Sequence, residues 1–224
     1  MAECTARIEA GQPLAEALAA GGVVCLGPGV HAGPLAPTVS VTLRGEAGAV
    51  IDAKGKGPVV AVQDDDLVVR IEALTLRGGA GEAGGGVSLT AYSEVVLVDC
   101  TVEDNASRAL GAGKGGGKSG GGGVYANRGT VRVQGGEFRR NRASLGSDLF
   151  VTGVAELFVV GGHLGGDVAA REGAKVAMEG VKADGVLDVR GTTTRAPTVS
   201  VKGGHLRGGV KNDPALPAQV EILP

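Results

Sequence analysis

The sequence predicts an all-β protein whose short strands stack as a parallel β-helix, a solenoid of about seven to eight rungs. Three observations support this prediction: an internal repeat, alternating apolar residues within each copy, and 42 glycines among 224 residues. This glycine content without a Gly-X-Y period, beside 43% hydrophobic residues, indicates a folded chain with a tight turn in every unit.

The repeat is an eleven-residue segment that aligns without gaps in six copies. The copies are VRIEALTLRGG from Val69, VVLVDCTVEDN from Val95, VRVQGGEFRRN from Val131, LFVVGGHLGGD from Leu157, VAMEGVKADGV from Val176 and VSVKGGHLRGG from Val199. Their first and third positions are apolar, which is the period of a strand with one buried face. The eighth position is apolar again after a bend, and a third apolar patch recurs between copies. Three strands per unit of about two dozen residues predict a three-sided coil.

The spacing of the copies favours a β-helix over the competing repeat folds. Successive copies start 26, 36, 26, 19 and 23 residues apart, with a weaker first copy near Val39 and a truncated last one at Val220. Leucine-rich repeats need a near-constant period, and a β-sandwich would not repeat one column pattern. Glycine also interrupts every helical period outside 12–20. A β-helix accommodates turns of different lengths between its strands.

The N-terminal end carries the pattern of a helical cap. Residues 12–20 predict a short amphipathic helix in which Leu14 and Leu18 share one face and the glycines at 21 and 22 end the helix. A solenoid needs such caps because its end rungs have an uncovered core. Residues 23–26 then form the first, irregular rung.

The rest of the chain belongs to the same predicted domain, 1–224. A glycine-rich loop at 111–123 is inserted between rungs and accounts for the longest spacing. A C-terminal cap at 214–224 contains three prolines, which protect the last edge from strand addition.

The N-terminal run resembles a known superfamily. LAEALAAGGVVCLGPGVHAGPL, followed by VTLRGEAGAVIDAKGKGPVV, is similar to the entry into the right-handed parallel β-helices of the pectin-lyase-like superfamily. The resemblance covers nearly the whole chain and implies a right-handed, three-sided coil. It implies little about function, because this fold hosts lyases, hydrolases, adhesins and inert spacers.

Two later pairs of segments resemble the repeats of polymorphic outer-membrane proteins, which combine a GG-apolar-apolar element with FxxN. They are GGVS at 85–88 with VEDN at 102–105, and GGVY at 122–125 with FRRN at 138–141. The first pair departs from the pattern because Val102 replaces Phe, and later copies drift further.

Composition excludes several classes of partner. The net charge is −2, from 22 basic and 24 acidic residues of interspersed sign, so no basic stripe indicates nucleic acid. No apolar run approaches the roughly 18 residues of a membrane span. The compartment stays open: cytoplasmic if Met1 is the native start, cell surface or secreted if a leader was removed.

The three cysteines are far apart, and their odd number leaves at least one free thiol. Cys25 and Cys100 fall in apolar strand patterns and are predicted to be buried small hydrophobes. Whether Cys4 and Cys25 form a disulfide is left open by the spacing.

A strip of charged residues is the candidate catalytic site under an enzymatic hypothesis. Arg70, Asp99 and Arg132 occupy outward positions along the first strand of the repeat. In polysaccharide lyases that this fold resembles, such a face holds calcium and a basic residue abstracts a proton. Calcium ligands would come from Asp64, Asp65 and Asp66, which precede the strip. The absence of tryptophan and the low tyrosine content argue against a sugar-binding face.

Three other groups attract attention. Val96, Val98, Phe158 and Val160 form an outward apolar group, either a partner interface or a surface covered by the glycine-rich loop. Asn105, Asn141 and Asp167 form a predicted structural ladder of turn side chains. His163 and His205 occupy equivalent turn positions in two copies, too far apart to share one metal ion.

The expected function is a non-catalytic β-helix that binds, adheres or serves as a structural element through protein–protein contacts or self-association. No catalytic residue or resident cofactor is assigned. The alternative is a polysaccharide lyase or glycoside hydrolase of the pectin-lyase-like type, with polysaccharide as substrate and calcium as cofactor.

Overall fold

The computed structural model describes residues 2–108, 120–191, 195–212 and 219–223. The chain there is all-β with one short helix, and its paired strands are parallel. The predicted all-β parallel architecture is therefore confirmed, and the stacked sheets are compatible with a parallel β-helix. Most of the predicted loop at 111–123 and part of the predicted cap at 214–224 lie outside the described residues.

Consecutive strands pass repeatedly through three sheets, here named A, B and C. Sheet A contains Ala6–Ile8, Gly22–Leu26, Val41–Gly45, Val68–Glu72, Glu94–Val98, Thr130–Gln134, Glu156–Val160, Lys175–Glu179, Thr198–Lys202 and Gln219–Leu223. Sheet B contains Gly29–Ala32, Ala49–Asp52, Thr75–Arg77, Thr101–Glu103, Glu137–Arg139, His163–Leu164, Lys182–Ala183 and His205–Leu206. Sheet C contains Val60–Val62, Val87–Leu89, Val124–Ala126, Leu149–Val151, Val168–Arg171, Leu187–Arg190 and Val210–Asn212. Ala80–Gly81 pairs with Ala106–Ser107 as a fourth, two-stranded sheet.

The core consists of columns of like residues. The register aligns the first position of all six repeat copies across sheet A, and these residues are buried: Val69, Val95, Val131, Leu157, Val176 and Val199. The eighth position forms a corresponding column in sheet B, buried from Leu76 to Ala183 and half-buried at Leu206. β-branched residues suit this stacking because they pack well on a pleated surface.

Glycine allows the backbone just before a sheet C strand to lie close to the neighbouring turn and to a core side chain. A Cβ atom added at Gly123 would lie 2.5 Å from the Asp148 carbonyl oxygen and 3.2 Å from Cδ1 of Phe138. The GG-apolar-apolar element therefore leaves room for the phenylalanine of the FxxN element that follows.

The N-terminal cap is shorter than predicted, and an additional strand precedes it. The helix spans Ala15–Ala20 rather than 12–20, with Leu14 and Leu18 buried against the core. Sheet A starts with Ala6–Ile8, so residues 23–26 are not its first strand. The sequence pattern missed this strand because three residues are too few to establish an alternation.

A disulfide holds the extra strand in place. Cys4 and Cys25 are bonded, which answers the question that their spacing left open, and Cys100 is a free, buried thiol. Cys25 is buried as expected, although as half of a disulfide rather than as a free hydrophobe. Burial raises the pKa of Cys100 to about 11, which keeps this thiol protonated and unreactive at neutral pH.

The last strand of sheet A, Gln219–Leu223, pairs with Thr198–Lys202 and falls inside the predicted cap. Ile222 and Leu223 on this strand are exposed. In the part of the chain that the structure describes, no helix has the length and apolar composition needed to cross a bilayer.

Reduction of the Cys4–Cys25 disulfide is expected to destabilise the N-terminal end. The bond closes a loop between residues 21 apart in sequence, and loops of this size contribute about 3 kcal/mol. Urea unfolding and amide hydrogen exchange, each with and without a phosphine reductant, measure the effect. Amides of Ala6–Ile8 should lose protection first, and Cys4→Ser should be insensitive to reductant. Equal stability of the oxidised and reduced wild-type protein would contradict the expectation.

Candidate functional site

The charged strip on the outward face of sheet A is internally ion-paired. Arg70 donates a hydrogen bond to Glu72 on the same strand, and Arg44 donates to the other oxygen of Glu72 at 2.6 Å. The Glu72 side chain is 18% exposed. Burial alone would raise the pKa of Glu72, but the hydrogen bonds from Arg70 and Arg44 outweigh it and bring the pKa below its ordinary value. Glu72 is therefore a stably charged partner rather than a proton acceptor.

Arg132 lies two strands away from Arg70 and has partners of its own. Its Nε lies 2.6 Å from Glu94, and its guanidinium carbon lies 4.5 Å from the centre of the Phe158 ring. This contact combines an ion pair with a cation–π interaction, which fixes the direction of the side chain. The register places Val96 between Arg70 and Arg132.

Asp99 lies apart from the two arginines of the predicted strip. The strand ends at Val98, and Asp99 adopts a φ of 48° in the following turn, where its backbone N–H donates to Gln134. Its carboxylate occupies the space that a side chain at Gly135 would need, since an added Cβ there would lie 2.3 Å from Oδ1. The structure thus brings Arg70 and Arg132 onto one face and leaves Asp99 at its border.

The three aspartates proposed as calcium ligands lie in the turn before a sheet A strand and take part in its local structure. The carbonyl of Asp64 accepts a hydrogen bond from Ser93, and the carboxylate of Asp65 accepts one from the backbone N–H of Tyr92. Asp66 adopts a φ of 61°. Within residues 2–108, 120–191, 195–212 and 219–223, no three His, Cys, Asp or Glu side chains are grouped so as to hold a metal ion.

The outward apolar group is divided by a polar strand. Val96 is buried and Val160 is 53% exposed, with Val98 and Phe158 between these extremes. In the register, Arg132 separates Val96 from Phe158, and Gln134 separates Val98 from Val160. The loop predicted as a cover lies mostly outside the described residues.

The turn after sheet B contains a buried amide ladder. Asn105 Oδ1 accepts from Gly79 N–H, and Asn105 Nδ2 donates to Leu76 O and lies 3.2 Å from Asn141 Oδ1. Asn141 Nδ2 donates to Val102 O at 2.9 Å. Each amide therefore satisfies backbone groups of the neighbouring turn.

The next member of this ladder is Asp148, not Asp167. Asn141 Nδ2 donates to Asp148 Oδ1 at 2.9 Å, and Gly166 N–H donates to its other oxygen at 2.6 Å. Burial raises the pKa of Asp148 despite these two hydrogen bonds. Asp167 is exposed, and its carboxylate accepts from Val186 N–H. The signal for Asp148 was its alignment with the second glycine of the GGVY element.

The two predicted turn histidines are strand residues. His163 and His205 begin two short strands of sheet B, with Lys182 in register between them. His163 Nε2 lies 2.8 Å from Asp184 Oδ2, and this hydrogen bond lowers the pKa of Asp184. A cleft of about 320 Å³ is lined by His163, Lys182, Ala183, Asp184, His205 and Arg207.

A second cleft, which the sequence did not predict, lies where the chain passes from sheet C to sheet A. This "tyrosine cleft" of about 420 Å³ is lined by Tyr92, Tyr125, Asn127, Arg128, Thr152, Gly153, Val154, Glu172 and Arg195. It contains both tyrosines of the chain. Tyr92 is 57% exposed and Val154 is 48% exposed. The guanidinium of Arg128 lies 5.7 Å from the centre of the Tyr92 ring.

The wall of the tyrosine cleft is polar as well as aromatic. The Tyr125 ring packs 5.7 Å from Phe150, and burial raises the pKa of Tyr125. Asn127 Oδ1 is buried and has no hydrogen-bond partner among the described residues. The sequence signal for this cleft was that Tyr92, Arg128 and Val154 occupy equivalent positions in short turns, each two residues before a sheet A strand.

Comparisons with known proteins identify no relative, because no family model, curated protein or solved structure matches this chain.

Replacing Asn141 with leucine is expected to destabilise the protein by about 2–4 kcal/mol, because buried partners of the amide lose their hydrogen bonds. Asp167→Leu, which removes one exposed acceptor, should cost less than about 1 kcal/mol. Urea denaturation of both variants measures the difference. Equal effects would show that Asn141 contributes no more than an exposed turn residue.

Glu72→Gln is expected to lower the free energy of unfolding by about 1–2 kcal/mol at neutral pH. The folded-state pKa of Glu72 is lowered, so its contribution is present above the ordinary value and disappears as pH falls through the folded value. Stabilities of wild type and variant should therefore converge as the pH falls below the ordinary range of a glutamate carboxyl. Glu179→Gln is the control, since Glu179 is 60% exposed and lies 3.3 Å from Lys202. A difference in unfolding free energy between wild type and Glu72→Gln that does not change with pH would contradict the lowered pKa of Glu72.

Proposed function

We propose that the chain is a right-handed, three-sided parallel β-helix of the pectin-lyase-like kind that acts as a non-catalytic binding module. The recurring order of sheets A, B and C supports three sides, and parallel crossover connections are right-handed in about 98% of cases. The eight strands of sheet B and seven of sheet C support about seven to eight rungs.

The proposed contact surface is the tyrosine cleft, and its occupant is a protein partner. The observation that carries this proposal is the concentration of exposed Tyr92 and Val154 beside Arg128. Tyrosine and arginine dominate the energetic centres of protein interfaces, because they combine large contact area with directed hydrogen bonds.

The ion pairing on sheet A supports a non-catalytic role. A general base needs a free lone pair near the proton that it removes. The guanidiniums of Arg70 and Arg132 are held by Glu72 and Glu94, respectively. Asp99 lies in the turn beyond the strand, so it does not complete a converging group with them.

Binding through the tyrosine cleft is tested with purified protein as bait in a comparison of three forms. Wild type and Val30→Ser should retain the same partner, since Val30 is exposed on sheet B. The double variant Tyr92→Ser/Arg128→Ser should lose at least about tenfold in affinity for that partner, measured with the purified pair by calorimetry. Equal retention by all three forms would place the interface elsewhere. Light scattering distinguishes a second copy of this chain from a different protein.

The polysaccharide-lyase hypothesis makes a different prediction for the same protein. Thermal unfolding across a calcium titration should be flat, and acidic polysaccharides should give no new ultraviolet absorbance from unsaturated products. A rise of several degrees with calcium, together with turnover that Arg132→Ala abolishes, would replace the binding proposal with an enzymatic one.

A further inference from the structure

A row of basic side chains runs along the outward face of sheet B near its last strands. His163, Lys182 and His205 are aligned in register on three neighbouring strands. Neighbouring strands lie about 4.8 Å apart, so the three side chains share one column. His163 is half-buried, whereas Lys182 and His205 are exposed. We name these three residues the basic row.

The basic row differs from the other charged columns in its balance of charge. On the same sheet, Asp52 pairs with Arg77 at 3.0 Å, and Arg139 is held by Glu103 at 2.7 Å and by Glu137 at 2.9 Å. The basic row lies in a cleft whose lining also includes Arg207. Asp184 is the acidic residue that lines this cleft.

The single negative charge of Asp184 cannot neutralise the basic row and Arg207 together. Its carboxylate lies 2.8 Å from His163 Nε2 and 3.5 Å from Arg207 Nη1. Glu137, the other acid next to the row, is in register with His163 but accepts a hydrogen bond from Arg139 at 2.9 Å. Like charges directly opposite one another on neighbouring strands are destabilising, and the row carries more positive charge than Asp184 balances whenever its histidines are protonated.

We propose that this cleft binds a doubly charged oxyanion of the sulfate or phosphate class, and that binding tightens as the pH falls. Donors about 4.8 Å apart can each reach a different oxygen of one tetrahedral anion at hydrogen-bond distance. Lys182, at the centre of the row, would contact the anion together with one or both histidines, and Arg207 would add a planar donor group. This site is independent of the tyrosine cleft and of the proposed protein partner.

Histidine gives the site its pH dependence because it gains positive charge between about pH 8 and pH 5. The charged groups that face the row are Glu137 and Arg139 from the preceding strand, Asp184 beside Lys182, and Arg207 after His205. Asp184 is shared between His163 and Arg207, and Glu137 is paired with Arg139, so the two acids offset only part of the positive charge that protonation adds to the row.

The histidine rings themselves report binding. The chain has three histidines, and His31 is fully buried, with Nε2 donating to Gly27 O at 2.8 Å. Ring resonances of the whole protein are followed by NMR during a sodium sulfate titration at constant ionic strength, with chloride as the exchanged anion. Sulfate is used for the pH series because its charge of −2 is constant between pH 5.5 and pH 8.0.

The expected result is a saturable shift of the His163 and His205 resonances, with that of His31 unchanged. The sulfate affinity should be about fivefold or more higher at pH 5.5 than at pH 8.0. A shift that does not saturate, or an equal affinity at the two pH values, would overturn the proposal.

Three variants test the assignment at pH 5.5. Lys182→Gln should weaken sulfate binding about threefold or more, and Asp184→Asn should strengthen it about twofold. Lys175→Gln makes the same charge change on sheet A, where Lys175 pairs with Glu156 at 2.8 Å, and should leave the affinity unchanged. Equal weakening by Lys182→Gln and Lys175→Gln would indicate general attraction to a charged surface, and this outcome would also overturn the proposed site.

Discussion

In-register parallel stacking is the constraint on which this structure depends. Each side chain lies about 4.8 Å from its counterpart on the next strand, so any residue type that repeats in the sequence becomes a continuous column in space. Inside the sheets this is favourable, because valine stacked on valine fills the core. Outside, the same rule brings like charges together unless acids and bases alternate. Glu72, held between Arg44 and Arg70, shows how one carboxylate pairs with two arginines from adjacent strands.

The turns between strands must keep the same register, and glycine residues and amide side chains make this possible. Asn105 and Asn141 satisfy backbone groups that the turn after sheet B would otherwise leave buried without partners. Asp148 continues this ladder with a carboxylate, and burial raises its pKa. Its protonated form is the one that the fold favours, so this residue opposes stability as the pH rises above its ordinary range, whereas Glu72 supports it.

The columns could be predicted from the sequence because alternation defines which side chains point inward. The six copies therefore gave the buried positions of sheet A, including Val69 and Val199. What alternation does not define is the partner of an outward side chain. The stacking of Arg132 on Phe158 depends on side-chain rotamers. Whether Asp148 or Asp167 continues the amide ladder depends on the length of one turn. The strand Ala6–Ile8 was missed for a different reason, since a long-range disulfide holds a segment too short to show a period.

Stacking also decides where different chemical groups can meet. A column spreads similar side chains along the axis of the stack, whereas catalysis and specific recognition need unlike groups to converge on one point. Convergence is therefore easier at a turn, where side chains from strands and loops face the same space. The passage from sheet C to sheet A is such a place, because Tyr92, Arg128 and Val154 come from equivalent turns yet differ in chemistry. Under the binding proposal, this surface offers a partner aromatic area and a cation at one point, which a column of like residues does not.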